Sequence, residues 1–334
     1  MASMDLPLLS AAFAAFAMTL YVMLDGFDLG VGALLLIQSD EHLRDQMVDS
    51  ILPTWDGNET WLVMTGVTLL AAFPVAYAIV MPAFYLPVIV MLLALGLRGV
   101  SFDFRHQVAG KRRRFWDVAF SVGSIVAASM QGLIVGGLIQ GVAMTGDHFS
   151  GSVSDTFQPF PLVAAATVLA GYVVLGSSWL HLKATARLRS FADRILRLAD
   201  PMFAGLATAT CIAAAFVQPG VAAAWVAHSA SLILIAGFFF AASAGLMAAI
   251  GGRSDVLPFT LALVLVALGI VGTVRVIFPD IVPFRLTLWA AASSTLSHVF
   301  LLIGATIVTP VVLAYTAFAY RVFRGKTPEK GWEG

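Results

Sequence analysis

The chain has 334 residues, of which 60% are hydrophobic and 11% are charged, and its formal net charge at pH 7 is zero. A soluble globular domain carries about twice that charged fraction, so most of this chain is expected to lie against lipid or other apolar helices. Zero net charge also argues against nucleic acid as a partner, because nucleic-acid-binding domains carry clustered positive charge. The composition therefore predicts an all-α integral membrane protein.

Nine apolar stretches follow one another along the chain, and each approaches the length of about 20 residues that a transmembrane helix needs. We therefore predict about nine transmembrane helices in a single polytopic membrane domain over residues 1–334. Because the N-terminal segment has no basic region, the first stretch is expected to be a span and not a cleavable signal peptide. The predicted spans are 7–37, 51–73, 76–100, 115–144, 160–181, 201–217, 221–250, 256–278 and 291–323.

Two features interrupt this pattern. Pro74, Pro82 and Pro87 crowd the second and third stretches, which predicts a break or kink there. Residues 183–200 carry apolar side chains at helical spacing with arginines between them, which predicts a short basic amphipathic helix on the membrane surface. Cys211, the single cysteine, lies in an apolar run and is expected to be a buried core residue.

The basic residues lie almost entirely at one end of the predicted helices. An odd number of spans places the termini on opposite sides, and all of the 19 Lys and Arg residues except Arg275 and Arg285 then fall on one side. By the positive-inside rule that side is cytoplasmic. The opposite loop over 145–158 has no Lys or Arg and carries Asp147 and Asp155. We expect a periplasmic N-terminus and a cytoplasmic C-terminus.

Acidic residues lie within or beside the predicted spans, where a carboxylate is costly and typically functional. Asp25 and Asp28 lie three residues apart in the first span and so share one helix face. Asp56 and Glu59 begin the second span, and Arg98 lies near the cytoplasmic end of the third, where it can pair with Asp28 or Asp56. All five are candidate proton-path residues. Asp25 can instead tether helices, whereas Asp28 and Asp56 are flanked by apolar sequence and harder to explain structurally.

Structural alternatives exist for the neighbouring polar and aromatic residues. Asp103, Arg105 and Glu59 can be interfacial charges at the ends of their spans. Trp55 and Trp61 can belong to the aromatic belt that is common at the membrane–water interface.

Histidine is the usual haem ligand, and the chain has six. Only His298 is predicted to lie within the membrane, near the outer end of the last span, and no two histidines are spaced four residues apart on one helix. We therefore expect this chain to ligate no haem and no metal by itself.

Four segments, 25–32, 55–58, 98–105 and 286–294, resemble subunit II of the cytochrome bd-type quinol oxidases, and the resemblance covers nearly the whole chain. The compact length and short outer loops are most similar to the cyanide-insensitive branch. The resemblance implies two four-helix bundles plus one peripheral helix in the bacterial inner membrane. It also implies an oxidase that oxidises ubiquinol on the outer side and reduces oxygen to water, contributing to the proton-motive force.

The resemblance further implies a partner, subunit I, which binds two b-type haems and haem d or a b-type substitute. Small single-helix subunits and a structural ubiquinone are also implied. In the family, the Asp that matches Asp56 lines the cytoplasmic proton path, with Asp28 and Arg98 nearby. One departure is that many relatives have an acid after the Trp that matches Trp289, whereas this chain has Ala290.

The resemblance places the Trp that matches Trp61 near the lipid-side access route of oxygen, and we group Trp55 and Asn58 with it as oxygen-access or haem-proximal residues. A proton-coupled secondary transporter is the main alternative, because it would also use intramembrane acids. A membrane anchor of another quinone-linked redox complex is the second. The transporter predicts an inverted repeat with broken helices, and the anchor predicts paired ligand histidines; neither feature is evident in the sequence.

Overall fold

The structure, a computed structural model, describes residues 5–146 and 148–327. Asp147 of the predicted outer loop and Lys330 near the C-terminus lie outside the described residues. Two short antiparallel hairpins, β1 (Met144–Thr145) with β2 (His148–Phe149) and β3 (Asp280–Val282) with β4 (Leu286–Thr287), accompany the helices. The α-helices of the described residues are α1 (Leu6–Leu35), α2 (Glu41–Ile51), α3 (Trp55–Ala72), α4 (Pro74–Ala83), α5 (Tyr85–His106), α6 (Lys111–Gln140), α7 (Pro159–Lys183), α8 (Ala186–Val217), α9 (Pro219–Ala227), α10 (Ser229–Ala249), α11 (Val256–Ile277) and α12 (Thr295–Val322).

Polar caps mark several of the helix starts, where the first backbone amides have no partner within the helix. The Asp5 side chain accepts a hydrogen bond from the Leu8 amide at 3.1 Å at the start of α1. Asp40 accepts from the His42 amide at 3.0 Å before α2. These caps mark where α1 and α2 begin.

Eight of the described helices are long and apolar enough to cross a membrane, namely α1, α5, α6, α7, α8, α10, α11 and α12. The helix α3 has 18 residues and begins with the polar segment that contains Asp56 and Glu59, so its apolar part is short. A ninth crossing formed by α3 stays a prediction.

The predicted surface helix over 183–200 is not a separate element. It forms the first half of α8, which continues without a break through Pro201 to Val217. The separate surface helix was therefore a wrong prediction. Leu188, Ala192 and Leu196 pack into the same core as residues further along α8, and this shared burial keeps the helix continuous.

Two apolar stretches each divide into a short and a long helix. Phe84 interrupts the predicted third span and separates α4 from α5, within the proline-rich segment. His228 interrupts the seventh and separates α9 from α10, a break that the sequence analysis did not predict. Each short helix begins with a proline, Pro74 or Pro219, and one residue separates that proline from the end of the preceding helix.

The long helices pack in two groups of four. Helices α1, α3, α5 and α6 form one group, helices α7, α8, α10 and α11 form the other, and α12 lies outside both against α1 and α3. This is the all-α arrangement of two four-helix bundles and a peripheral helix that the resemblance implies. Within α12 only His298 and Ala319 are buried.

The two groups meet where α1 and α6 pack against α7. The core at this contact includes Phe27, Leu29 and Val31 of α1, with Val174 and Leu175 of α7, and all five side chains are fully buried. The C-terminal half of α1 is thus enclosed by protein, which is the environment in which its acids lie.

Cys211 is exposed on the described chain, so its assignment as a buried core residue was wrong. It lies in the second half of α8 next to Ile212, which is also exposed, whereas Ala214 is buried. The apolar run around Cys211 reflects a helix face that points away from the other helices of this chain, and not a packed core.

Candidate functional site

Three helices bring polar side chains together inside the first four-helix group. Asp25 and Asp28 come from α1, Asn58 and Glu59 from α3, and Arg98 from α5; we call these five residues the carboxylate–arginine cluster. Asp25, Asp28 and Arg98 are fully buried, whereas the Glu59 side chain is 26% exposed. The three-residue spacing of Asp25 and Asp28 puts both carboxyl groups on the face of α1 that meets α3.

Arg98 forms the centre of the cluster. Its Nη2 donates to Asp25 Oδ1 at 2.6 Å and also donates to Glu59 Oε1. The prediction that Arg98 pairs with Asp28 or Asp56 was therefore wrong. Asp56 lies on the first turn of α3, about 200° around the helix from Asn58, and its side chain is exposed.

Asp28 has no cationic partner of its own among the described residues. Its Oδ2 accepts a hydrogen bond from Asn58 Nδ2 at 2.8 Å, and its Oδ1 has no hydrogen-bond partner. The same Asn58 amide nitrogen lies 3.3 Å from the Leu24 carbonyl oxygen, and the Tyr320 hydroxyl of α12 reaches Asn58 Oδ1 at 3.4 Å. Asn58 therefore joins α1, α3 and α12 around the Asp28 carboxyl group.

Several buried polar atoms of the cluster lack a partner in the described part of the chain. They are Asp25 Oδ2, Asp28 Oδ1, Arg98 Nε and Arg98 Nη1. Buried polar groups without protein partners are typically satisfied by ordered water. Two acceptors and two donors at one site can bind such water, and a chain of water and carboxyl groups can move protons.

The predicted tryptophans occupy different surroundings. Trp55 stacks on Phe102 with ring centroids 4.8 Å apart, and its ring lies 5.9 Å from the Arg98 guanidinium carbon. Trp61 is fully buried between α1 and α3, where it packs edge-to-face on Phe16, and its indole Nε1 has no hydrogen-bond partner among the described residues. Trp55 thus borders the carboxylate–arginine cluster, whereas Trp61, two residues after Glu59 on α3, packs in a small cluster with Ala17 and Tyr21 of α1.

A second ionic cluster was missed by the sequence analysis. Asp117 of α6 is fully buried and accepts from Arg44 Nε at 2.7 Å and from Arg105 Nε at 2.6 Å. Arg105 Nη2 also donates to Asp45 Oδ1 at 2.6 Å. We call Arg44, Asp45, Arg105 and Asp117 the arginine clamp. Arg105 is therefore not an interfacial charge, whereas Asp103 is exposed as an interfacial charge would be.

A third polar group lies deeper in the core and was also missed. The Tyr172 hydroxyl of α7 donates to Gln131 Oε1 at 2.6 Å, and Gln131 Nε2 of α6 donates to the Tyr21 hydroxyl at 2.7 Å. We call these three residues the tyrosine–glutamine bridge. A glutamine inside an apolar span was a usable signal, because such residues usually face the interior of a helical bundle.

The chain as a whole matches a known protein family. A model of the family described as cytochrome bd terminal oxidase subunit II matches residues 6–323. This chain belongs to that family. It is therefore a subunit of a bd-type quinol oxidase, a haem-containing quinol:oxygen oxidoreductase of the bacterial membrane, in which it is complexed with a subunit I. The secondary transporter is not favoured.

Individual relatives agree with this assignment. Cytochrome bd-I ubiquinol oxidase subunit 2 of Escherichia coli strain K12 is 28% identical over 361 residues, covering 94% of this chain and 93% of the relative. Cytochrome bd ubiquinol oxidase subunit 2 of Bacillus subtilis is 34% identical over 151 residues, covering 44% of this chain and 45% of the relative. A chain in the structure of the bd oxidase from Geobacillus thermodenitrificans has the same fold, with a TM-score of 0.78 at 13% identity and coverage of 96% and 99%.

Proposed function

We propose that this subunit takes up protons from the cytoplasm and passes them toward the oxygen-reducing site of its partner subunit. The observation that carries the proposal is the carboxylate–arginine cluster, which encloses three carboxyl groups and one guanidinium within the membrane domain. Such groups are expensive in a bilayer and are retained mainly for ion or proton transfer. Reduction of oxygen to water consumes protons, so a proton supply is required.

The direction of uptake rests on the distribution of basic residues. In the predicted topology all Lys and Arg residues except Arg275 and Arg285 fall on the side of the membrane where the arginine clamp lies, and the positive-inside rule favours the cytoplasm for that side. Asp56 is exposed at this end of α3, where water or the partner subunit can reach it. We propose that Asp56 is the entrance, and that Glu59, Asp25, Asp28 and Arg98 line the path beyond it.

Uptake from the cytoplasm also fits energy conservation. The haems of the complex supply the oxygen-reduction chemistry, and this chain supplies titratable groups and sites for ordered water. When protons are consumed from the inside while quinol oxidation releases protons outside, the reaction builds a proton-motive force.

We further propose that Trp61 borders the route by which oxygen reaches the complex from the lipid. The support is the apolar environment of Trp61, together with Val63 and Val67 two and six residues later, which are 64% and 54% exposed at the surface of the described chain. Oxygen is apolar and dissolves well in such surroundings. Trp55 is proposed as the haem-proximal residue. Asn58 is better explained as the hydrogen-bond donor of Asp28 than as an oxygen-access residue.

The haems are proposed to be ligated by subunit I. The buried histidines of the described residues, His181 and His298, lie at opposite ends of the helices, and each is already hydrogen-bonded to a side chain, of Asp193 or Ser10. This pair does not fit one haem held between two helices of this chain. From the resemblance we propose that subunit I binds two b-type haems and haem d or a b-type substitute. On the same ground we propose a structural ubiquinone and small single-helix subunits in the complex.

The test of the proton path is Asp56→Asn in the purified oxidase. The amide keeps the shape of the side chain but has no exchangeable carboxyl proton near neutral pH. We expect ubiquinol-driven oxygen consumption per haem to fall roughly tenfold or more, which equals about 1.4 kcal/mol on the limiting barrier. Haem content should stay close to that of the unmodified complex.

Glu41→Gln is the matched control, because Glu41 is an exposed acid on α2 whose nearest ionic contact, to Arg113, is 3.8 Å long. It should leave oxygen consumption unchanged. Full turnover of Asp56→Asn at full haem content would refute the role of Asp56 and leave a structural explanation for the acids.

A further inference from the structure

The tyrosine–glutamine bridge runs from α7 through α6 to α1 and ends one helical turn before Asp25. Tyr172 donates to Gln131 at 2.6 Å and Gln131 donates to Tyr21 at 2.7 Å. Both tyrosines are almost completely buried in the apolar core. Because buried polar groups destabilise a core unless each finds a partner, such a fully connected chain is a specific feature of this site.

The hydrogen bonds of the bridge point in one direction. Tyr21 accepts from Gln131 and so keeps its own hydroxyl hydrogen available for donation, and it lies four residues before Asp25, on the same face of α1. Arg98 donates to the other side of the same carboxyl group. Asp25 Oδ2 has no hydrogen-bond partner among the described residues, so it is the acceptor that is free for the Tyr21 hydroxyl, directly or through one water. Asp25 is therefore surrounded by donors, which is the environment of an ionised carboxylate.

Asp28 lies in a different environment, although it is only three residues away. One amide hydrogen bond from Asn58 is its only hydrogen bond among the described residues. Arg98 is shared by Asp25 and Glu59, and the partly exposed Glu59 can remain ionised next to solvent. One guanidinium cannot neutralise three carboxylates, and a fully buried carboxylate without a cation takes up a proton instead.

We infer that Gln131, through Tyr21, holds Asp25 as a permanently ionised partner of Arg98, and that Asp28 is the carboxyl group of the cluster that holds and exchanges a proton. Gln131 and Tyr21 are positioning residues, because they act through Asp25. The inference rests on the proposed proton path only for the direction in which the proton moves. The other titratable groups that face the two acids are Glu59 on α3, Tyr172 on α7 and Tyr320 on α12.

The charge states are tested on the purified two-subunit oxidase by infrared spectroscopy in H₂O and D₂O near neutral pH. A protonated carboxyl group gives a carbonyl band that an ionised carboxylate lacks. Asp28→Asn should remove one such band, and Asp25→Asn should leave it in place. Asp28→Glu should shift the band without removing it, which provides an assignment if the amide variant fails to assemble. The inference would be overturned if Asp25→Asn removed the carbonyl band. It would also be overturned if the band stayed in place, without a shift, in both Asp28→Asn and Asp28→Glu.

The positioning role is tested with Tyr21→Phe and Gln131→Leu. In either variant the Asp28 band should weaken and a second band should appear, because Asp25 now competes for the proton. The second band should disappear when Asp25→Asn is added to the same variant. Thr167→Val is the matched control, since it removes a hydrogen bond of 2.6 Å to Thr210 between α7 and α8 that belongs to neither the bridge nor the cluster. If the carbonyl bands are the same in Tyr21→Phe, in Gln131→Leu and in the unmodified oxidase, the positioning role of Tyr21 and Gln131 is refuted.

Failure of the proton path and failure of this inference give different results. Full turnover of Asp56→Asn would remove the path but leave the infrared assignment of Asp28 intact. An infrared band that belongs to Asp25 would overturn the division of roles, even where Asp56→Asn blocks oxygen consumption.

Discussion

Gly30 of α1 and Gly176 of α7 lie in direct backbone contact. A Cβ atom added to Gly176 would lie 2.4 Å from the Gly30 carbonyl carbon, and one added to Gly30 would lie 1.8 Å from the Tyr172 carbonyl oxygen. Real Cβ atoms do not approach backbone so closely, so only glycine permits this crossing. The contact joins the two four-helix groups a short distance from Asp25 and Asp28.

We predict that Gly30→Ala and Gly176→Ala each reduce the yield of assembled, haem-containing oxidase. Overpacking of a close contact costs about 1–3 kcal/mol, and here the opposing atoms belong to rigid backbone. Gly269→Ala on α11 is the control, because no neighbouring heavy atom of the described residues lies within 4 Å of its Cβ position. Gel filtration and the haem-to-protein ratio measure the result. Unchanged yield in both variants would mean that the helices are free to separate here.

The arginine clamp predicts a stability effect. In Asp117→Asn the Arg44 and Arg105 guanidinium groups lose their shared, fully buried carboxylate. Loss of one partner from a buried ionic group costs about 3–5 kcal/mol, so the melting temperature of the complex should fall markedly. Arg187→Gln should change it little, because the Arg187–Asp40 pair is 3.6 Å long and exposed, and such pairs contribute at most about 1 kcal/mol. Equal melting temperatures for Asp117→Asn and Arg187→Gln would contradict this prediction.

The C-terminal segment is held to the membrane domain by a pH-dependent contact. Lys326 donates to Asp255 Oδ2 at 2.9 Å and Arg189 donates to Oδ1 at 2.5 Å, and these hydrogen bonds lower the pKa of Asp255 below its usual value. A depressed pKa in the folded state stabilises this contact above the unfolded pKa of about 3.9, and the stabilisation disappears as the pH falls below it.

Asp255→Asn should therefore release the C-terminal segment already at neutral pH. Limited proteolysis should cut after Arg324 faster in this variant than in the unmodified subunit, whereas Asp103→Asn should have no effect on the rate. If Asp255→Asn and the unmodified subunit were cut at the same rate at pH 7, the contact would contribute nothing measurable.

The subunit expressed without its partner should bind no haem in stoichiometric amounts. The reason is the positions of the two buried histidines, which do not oppose each other across one haem site. Absorption spectra of the purified subunit, with the co-expressed pair as the positive control, measure this directly. A stoichiometric b-type spectrum from the subunit alone would contradict the prediction.

The orientation in the membrane can be measured with reporter fusions. Fusions after Gly110 and after Gly252 should report the cytoplasm, and a fusion after Gly151 should report the periplasm. Gly110 and Gly151 lie in the loops before and after α6, and therefore at opposite ends of that helix. Asp200 is unsuitable as a fusion point, since it is buried within the continuous helix α8. A periplasmic signal after Gly110 would reverse the orientation and with it the proposed direction of proton uptake.

The sequence by itself determined the class of protein and most of its helices. Runs of about 20 apolar residues can do little other than span a bilayer or pack as helices, so length and hydropathy suffice for this step. The spacing of Asp25 and Asp28 determined that they share a face, because that relationship is local to one helix. The proline-rich segment likewise predicted the break between α4 and α5.

The tertiary structure alone decided which charged groups meet. Arg98 reaches Asp25 across 73 residues of sequence, and Gln131 reaches Tyr21 across 110, so both contacts depend on how far each helix is rotated and how closely the helices cross. The Gly30–Gly176 contact likewise sets how closely α1 crosses α7, and no local pattern encodes it. For the same reason only the tertiary structure showed that the Asp56 side chain is exposed and the Asp117 side chain is buried. From the sequence alone, Asp56 was the stronger candidate for a buried acid.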